Sequence, residues 1–411
     1  MTPGEAMFTP AVDLSAISAE EAVHAMLDRA AGMQASDLYL DSEEHHLTVS
    51  VRHLGVVRKL AQVTLEQGRR MITHLKAMAG ADIAEKRKPQ DGRLVHRLSN
   101  GRLLDLRVSS IPTLFGEDVD VRLLDRDLRR LALEELGMSP HEAQHVQAML
   151  NNPGGLILVT GPTGAGKTTT LYAFLHYLND GRRKINTIED PIEYAVAGVR
   201  QSQVMPKHGV DFPEMLRGVL RQSPDVIMIG EIRDAVTAQT AVRAANSGHL
   251  VLATLHAPVA AAGVQSMLNL GAHPHFLSTS LLGVIAQRLV RTLASDTKVA
   301  FDLSEAPQTF EELRPWLTPG QGLMMYGPNP RDEQNPEGYA GRTAVFEVMP
   351  MSRELRRLVA EGRPARELEA RAIDEGMLEF RRAALLKVAQ GVTSTEEVLR
   401  CVPTEYLGLD L

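Results

Sequence analysis

The chain contains a single cysteine, Cys401, among 411 residues. One thiol excludes an intrachain disulfide and any zinc site built on cysteines, and it suits a reducing cytoplasm. Aromatic residues make up only 4% of the sequence, and 44 Lys and Arg against 51 Asp and Glu leave a net charge of -7. The stacking side chains and the basic surplus of a nucleic-acid binder are both lacking, so no nucleic acid is expected as a partner. No stretch approaches the roughly 18 apolar residues in a row that a membrane-spanning helix needs, so no transmembrane segment is expected. Met1 to Ala30 mixes acids, His and Pro without an apolar block and does not read as a signal peptide. What is present, 44% hydrophobic and 23% charged residues, is the make-up of a globular protein. At about 150 residues per domain, the length suggests two or three domains.

In residues 1–124 short alternating runs predict strands half buried in a sheet. They are Asp37–Leu40, Leu47–Arg52, Gly55–Arg58, Arg93–Val95, Leu103–Val108 and Val119–Leu124, with a helix between Glu66 and Met78 after the third. This part is expected to be a small N-terminal α/β domain. The charged, Leu-rich residues 125–137 read as a linker. From Gly155 onward apolar strands at Leu156–Thr160, Ile185–Ile188, Val226–Ile229 and Leu250–Thr254 alternate with helices, the pattern of βαβ units around a parallel sheet. Asp211-Phe-Pro-Glu214 opens one of those helices with an acidic N-cap, an early Pro and a Glu at the third position. After about Thr292 the strand signal fades, residues 303–340 are rich in Pro, Gly and charge, and from Ser352 helices run nearly to the end. The expected division is a core over residues 138–292 and a mostly helical C-terminal subdomain over 293–411.

The chemistry concentrates in Gly161-Pro162-Thr163-Gly164-Ala165-Gly166-Lys167-Thr168, directly after a predicted strand and opening a predicted helix. Glycines let backbone N–H groups close around phosphate oxygens, and the helix N-terminus adds partial positive charge. Lys167 is expected to reach the β- and γ-phosphates of ATP, and Thr168 to ligate Mg²⁺. Thr169 completes the expected nucleotide-binding set.

Hydrolysis also needs a group that orients water and groups that neutralise transition-state charge. Two acidic clusters qualify, Glu189-Asp190-Pro191-Ile192-Glu193 and Gly230-Glu231-Ile232-Arg233-Asp234, each at the carboxyl end of a predicted strand. Ligands of open α/β sheets sit beyond those ends. Asp190 and Glu193 are the candidates to hold Mg²⁺ through water, Glu193 also being a candidate catalytic residue. Gly230 stands where the usual Walker B Asp ends the apolar run, so Glu231 is the best general base. His256, after the fourth strand, is expected near the γ-phosphate.

These pieces together resemble the type II secretion and type IV pilus assembly ATPase family. Glu189 to Tyr194 looks like its aspartate box, Arg221-Gln-Ser-Pro-Asp225 through Asp234 like its atypical Walker B, and Ser247 to His256 like its histidine box. The resemblance extends upstream through Ala35-Ser-Asp37, Lys88-Pro-Gln-Asp-Gly-Arg93 and Asp105-Leu-Arg-Val-Ser109, and downstream to Gly391–Arg400. It implies an α/β fold in which a small N-terminal α/β domain precedes a RecA-like P-loop ATPase domain with a parallel-rich central sheet and a helical C-terminal subdomain. It further implies a homo-hexameric motor, cytoplasmic and peripheral at the inner membrane, that uses ATP and Mg²⁺ to drive a membrane platform protein. Carried onto matching positions, Arg93 and Arg107 become catalytic arginines that contact phosphate, with Arg122 as a third candidate.

Two departures qualify the resemblance. Many relatives carry two Cys-x-x-Cys pairs that form a zinc site, but here Leu293–Lys298 and Tyr326–Tyr339 hold no cysteine. No zinc is expected, and packing must hold residues 293–342. An additional N-terminal domain that tethers many secretion ATPases is also expected to be missing, so docking is expected to use another surface. Gly391–Arg400 and Gly341–Glu347 look more like the assembly and secretion branch. Retraction of a pilus is the alternative; a nucleic-acid translocase and a non-hydrolysing adaptor are the readings from other classes.

Overall fold

The structure is a computed structural model that describes residues 14, 17–125, 131–205, 209–332, 335 and 337–408. The chain divides into two units, Met1–Arg129 and Arg130–Leu411. In the first, Ser18 starts helix α1 (Ala19–Gly32) by a reciprocal bond, its hydroxyl accepting from Glu21 N while the Glu21 carboxylate accepts from Ser18 N. Ala22, Val23, Met26, Leu27 and Ala30 recur at helical spacing along it and are buried. Then come β1 (Asp37–Ser42), β2 (His46–His53), β3 (Val56–Thr64), α2 (Leu65–Met78), β4 (Gln90–Arg97), β5 (Leu103–Thr113) and β6 (Gly116–Asp125). The six strands lie where the alternation places them, each running further than the alternation indicates; α1 is an addition to the sequence reading.

The strands form one antiparallel sheet in the order β3-β2-β1-β6-β5-β4. Successive side chains of a strand point to opposite faces. Leu38, Leu40, Val49, Val51, Leu106, Val108, Val119 and Val121 therefore share one core with α1 and α2. The alternate residues form a polar row across the other face. Arg93 stands opposite Arg107, Arg107 opposite Arg122, Arg122 opposite Asp37, and Asp37 opposite Arg52.

Of the expected linker, residues 126–130 lie outside the described residues. Its end requires correction, because Leu133–Leu136 forms a 3₁₀ turn whose two leucines are buried in the second unit's core. That unit continues with α3 (Pro140–Leu150), β7 (Gly155–Thr160), α4 (Lys167–Leu178), β8 (Ile185–Glu189), β9 (Arg200–Gln203), α5 (Phe212–Leu220) and β10 (Val226–Ile229). After these come α6 (Ala235–Asn246), β11 (Leu250–Leu255), α7 (Ala260–Asn269), α8 (Pro274–Ser280) and β12 (Leu281–Leu293). An antiparallel pair of β13 (Val299–Asp302) and β14 (Met324–Gly327), joined through a 3₁₀ segment at Pro307–Trp316, precedes β15 (Tyr339–Pro350), and α9 (Arg353–Ala360), α10 (Ala365–Asp374), α11 (Phe380–Ala389) and α12 (Thr395–Cys401) follow. Helix α5 starts as expected: the Asp211 carboxylate accepts from Glu214 N, with Pro213 in the first turn.

Seven strands make the central sheet in the order β15-β12-β7-β11-β10-β8-β9. Every neighbouring pair is parallel except the edge pair β12 and β15. Strands β7, β10 and β11 are buried along their whole length, which explains why they read as unbroken apolar runs. Helices α3 and α4 cover one face, and α5 to α8 the other.

The boundary expected at 292/293 is corrected, because it cuts the end of β12. Strand β15, from the segment expected to be mostly helical, pairs with β12 from Gly283–Pro350 to Leu293–Tyr339 and extends the same sheet. Helices α10 and α11 pack against α7 and β15 in the same core. Gln287, Arg288 and Arg291 interrupt the apolar pattern of β12, and each has a specific partner. Arg291 Nε and backbone N both donate to Glu397 at 2.9 Å, Arg291 Nη1 donates to Glu337 at 2.8 Å, and its guanidinium lies 4.0 Å from the centre of the Tyr339 ring. Burial raises the Glu397 carboxyl, but hydrogen bonds from Arg400 and Arg291 outweigh it and bring the pKa to about 2. This buried network and the β13–β14 pair occupy the region where cysteines are missing. Burial, then the Glu397 charge, push the Cys401 thiol up to about 12, so it is held as a neutral thiol. No helix among the described residues is long and apolar enough to cross a membrane.

Candidate active site

Strand β7 ends at Thr160 and α4 begins at Lys167, so Gly161–Gly166 forms the turn between a buried strand and a helix N-terminus. Gly161, Gly164 and Gly166 adopt positive φ of 148°, 78° and 87°. Gly161 also has no room for a side chain, since a Cβ there would stand 2.5 Å from the Gln287 carbonyl oxygen. Gly166 caps α4 without a side-chain hydrogen bond. The first N–H groups of the helix are thus left to an anion. Pro162, Thr163, Gly164, Thr168 and Thr169 are exposed along the same turn, and Ala165 is buried beneath it.

Lys167 Nζ donates to the carbonyls of Gly161 at 2.8 Å and Pro162 at 3.0 Å. Burial lowers its pKa, and the nearby Glu231 carboxylate works against that shift. Glu231 lies just beyond Gly230 at the end of β10, and its carboxylate takes a hydrogen bond from Arg233 at 2.6 Å and lies 3.0 Å from His256 Nε2. Burial raises the Glu231 carboxyl, but the Arg233 bond, helped by His256 and Lys167, holds it below the usual carboxylate range. The expected base, the expected histidine and the expected lysine are therefore brought together in one electrostatic cluster.

Gly230 has a packing reason. A Cβ on it would lie 3.2 Å from Ile188 O and 3.4 Å from Glu189 Cα, because β8 and β10 are adjacent parallel strands. An Asp at that position would need the neighbouring backbone to give way. The carboxylate is instead supplied one residue later, and Thr254 Oγ1 donates to the Gly230 carbonyl to fix the turn.

The first acidic cluster divides. Glu189, 2% exposed, turns inward and accepts hydrogen bonds from Tyr172, Thr187 and Gln201. Burial first, then the Glu189 charge, push the Tyr172 phenol up, so it stays a donor. Asp190 is exposed at the strand end and acts electrostatically on Arg233. Glu193 is half-buried, and its N–H donates to the Tyr172 hydroxyl at 3.3 Å. Arg93, Arg107 and Arg122 belong to the N-terminal unit, in the polar row described above. Arg93 pairs with Asp105 through Nε at 2.8 Å and through Nη2, and Arg122 Nε donates to Asp37 at 3.0 Å.

Sequence reasoning missed Gln287, which is 1% exposed on β12. Its Nε2 donates to Ala165 O at 2.6 Å, and its Oε1 accepts from Thr170 Oγ1 at 2.8 Å, so one amide ties the end of the glycine turn and the first turn of α4 to β12. No local signal marked it, because the strand that carries it does not read as a strand in the sequence. Arg233 was visible only as part of the second acidic cluster.

A glycine turn that a Cβ would fill, uncapped helix N–H groups, an ammonium and an exposed hydroxyl at the first turn fit a Mg²⁺-bound nucleoside triphosphate. The family model "Type II/IV secretion system protein" matches residues 13–400. The type II secretion system protein E of Dickeya dadantii is 42% identical over 383 residues, covering 93% of this chain and 75% of that one. The type IV pilus assembly ATPase PilB of Acinetobacter baylyi is 40% identical over 392 residues, 92% of this chain and 65% of that one. Among solved structures, the Legionella pneumophila ATPase DotB aligns with a TM-score of 0.69 at 20% identity, over 95% of this chain and 97% of that one, a likeness of fold.

Proposed function

This chain belongs to the Type II/IV secretion system protein family and is an ATP hydrolase, and we propose that it is a homo-hexameric cytoplasmic motor, peripheral at the inner membrane. Its ATP turnover drives a membrane platform protein in assembling a type IV pilus or a type II secretion pseudopilus. One observation carries the hydrolytic part of the reading: the Glu231 carboxylate, held between Arg233 at 2.6 Å and His256 at 3.0 Å, sits within electrostatic reach of Lys167.

Bound with the nucleotide, Mg²⁺ would neutralise phosphate charge, with the Thr168 hydroxyl as its ligand and Asp190 and Glu193 acting through water. The residues themselves divide the remaining work. Lys167 exchanges two carbonyl acceptors for phosphate oxygens, a charge-assisted and therefore stronger pairing. The N–H groups from Gly164 to Thr169 cradle the phosphates. Glu231, ionised at neutral pH, accepts a hydrogen bond from the attacking water and aims it. Arg233 and His256 keep that carboxylate in one orientation, which is the positional half of the catalysis. Arg93 and Arg107, with Arg122 as a third candidate, are the proposed phosphate-contacting arginines, since the planar fork of a guanidinium matches phosphate oxygens.

Purified chain is expected to release phosphate from ATP, and the Lys167→Ala variant to lose that activity. The cytoplasmic part of a platform protein is expected to raise turnover, and light scattering to report six copies. Phosphate release undiminished in Lys167→Ala would sink the hydrolytic assignment. Salt-sensitive stimulation by DNA, without any by the platform protein, would replace the proposed partner.

A further inference from the structure

Away from the nucleotide cradle, the N-terminal unit gathers Glu20, His24 and His74 so that one possible ligand atom from each lies within 4.8 Å of the others. Glu20 and His24 are four residues apart on α1 and so share a face. His74 comes from α2, which packs beside α1. His96 of β4, 5% exposed, lays its ring 4.9 Å from that of His24, and the His74 ring is 6.0 Å from it. Nε2 of His74 is buried without a hydrogen-bond partner. A buried polar atom in that state is uncommon and calls for something to satisfy it.

The chemistry of the group is narrow. Two imidazoles next to a carboxylate are donors for a borderline-soft divalent ion rather than for Ca²⁺ or Mg²⁺, which prefer oxygen throughout. Three protein ligands with one further position is a familiar arrangement for zinc, at about 2.0–2.2 Å per bond. Binding brings these atoms closer than 4.8 Å, and Glu20, exposed in the first turn of α1, has the room to move in.

We propose that Glu20, His24 and His74 bind a zinc-class divalent metal ion, the His96 ring packing against that of His24. The ion ties α1 to α2. The expectation of a zinc-free chain rested on missing cysteines and did not reach these histidines.

The test is a titration of metal-stripped full-length chain, without nucleotide, with Co²⁺, followed by its visible d–d absorption. One equivalent should bind per chain, Zn²⁺ should displace it, and thermal stability should rise with the metal. His74→Gln and Glu20→Gln should each weaken binding by more than the roughly 10–100-fold that follows loss of an outer-shell partner. The obvious competitor is the pair His141 and His145 on α3, whose Nε2 atoms are 3.2 Å apart. A His141→Gln/His145→Gln variant should bind Co²⁺ like the parent. Loss of binding in that variant with retention in His74→Gln would overturn the proposal. So would absence of stoichiometric binding at micromolar Co²⁺. Glu20 is exposed, so its variant should fold as the parent does by circular dichroism; unchanged Co²⁺ affinity in that folded variant would also refute the site.

Discussion

Gln287 and Ala165 lie 122 residues apart in sequence and are joined by a 2.6 Å hydrogen bond from the Gln287 amide to the Ala165 carbonyl. The same side chain accepts from Thr170, so the glycine turn is fastened to β12 as well as to its own helix. Gln287→Leu keeps approximate volume but leaves the Ala165 carbonyl and the Thr170 hydroxyl unsatisfied in the interior. Each orphaned buried group costs about 1–3 kcal/mol. Because the loss falls on the turn that cradles phosphate, nucleotide affinity should weaken by about tenfold or more, with a lower melting temperature. Fluorescent-nucleotide titration beside a thermal melt checks this. Unchanged affinity with only a lower melting point would confine Gln287 to stability.

The Glu231 carboxylate is ionised and doubly held, so its variants should separate binding from turnover. Glu231→Gln retains the shape and loses the charge. Turnover should fall by about 10²–10⁴-fold, the range for loss of a positioned general base, while ATP still binds. His256→Asn should do less, because Arg233 continues to hold the carboxylate at 2.6 Å. Phosphate-release kinetics and nucleotide binding measured on the same preparations decide both points.

Much of this site was legible because its residues come from continuous motifs at strand ends. The strand, turn and helix around Lys167 and the acids after β8 and β10 follow from local pattern and from where ligands sit on an open parallel sheet. What escaped was non-local. Glu189 and Glu193 look alike in sequence, yet one faces Tyr172 in the interior and the other lies half-buried beyond the strand end. What separates them is the hydrogen bond that Tyr172 of α4 donates to the Glu189 carboxylate. Strand β12 was illegible because Gln287, Arg288 and Arg291 break both alternation and apolar continuity. Their partners, Ala165, Pro258 and Glu397, are each at least 30 residues away. Strand β15 was hidden in turn, since among the described residues its strand partner is β12 alone.

The register of the N-terminal sheet places Arg107 between Arg93 and Arg122. If this row contacts phosphate, Arg107→Ala should lower turnover by about tenfold or more with little change in melting temperature. Asp105→Asn is the informative companion. It removes the charge that pairs with Arg93 without removing an arginine, so it should perturb stability more than turnover. Equal turnover in Arg107→Ala and the parent would remove Arg107 from the site.

Glu397 provides the clearest pH dependence. It is 1% exposed and receives bonds from Arg291 and Arg400, and its folded pKa of about 2 lies below the value of 4.5 for an unpaired Glu. An acid whose pKa is depressed by folding contributes stability that is fully present above the unfolded value and is lost as pH falls through the folded one. Between pH 4.5 and 2 that contribution, about 3 kcal/mol at 1.36 kcal/mol per pH unit, should drain away. Other carboxylates titrate in the same window, so the comparison must be with Glu397→Gln. At pH 7 the variant should be less stable by about 3–5 kcal/mol, the cost of removing one partner from a buried ion pair. The difference in urea midpoint between parent and variant should hold steady from pH 8 to 5 and narrow below that. A gap independent of pH down to 3 would mean that the Arg291–Glu397 contact stabilises by packing and neutral hydrogen bonds rather than by charge.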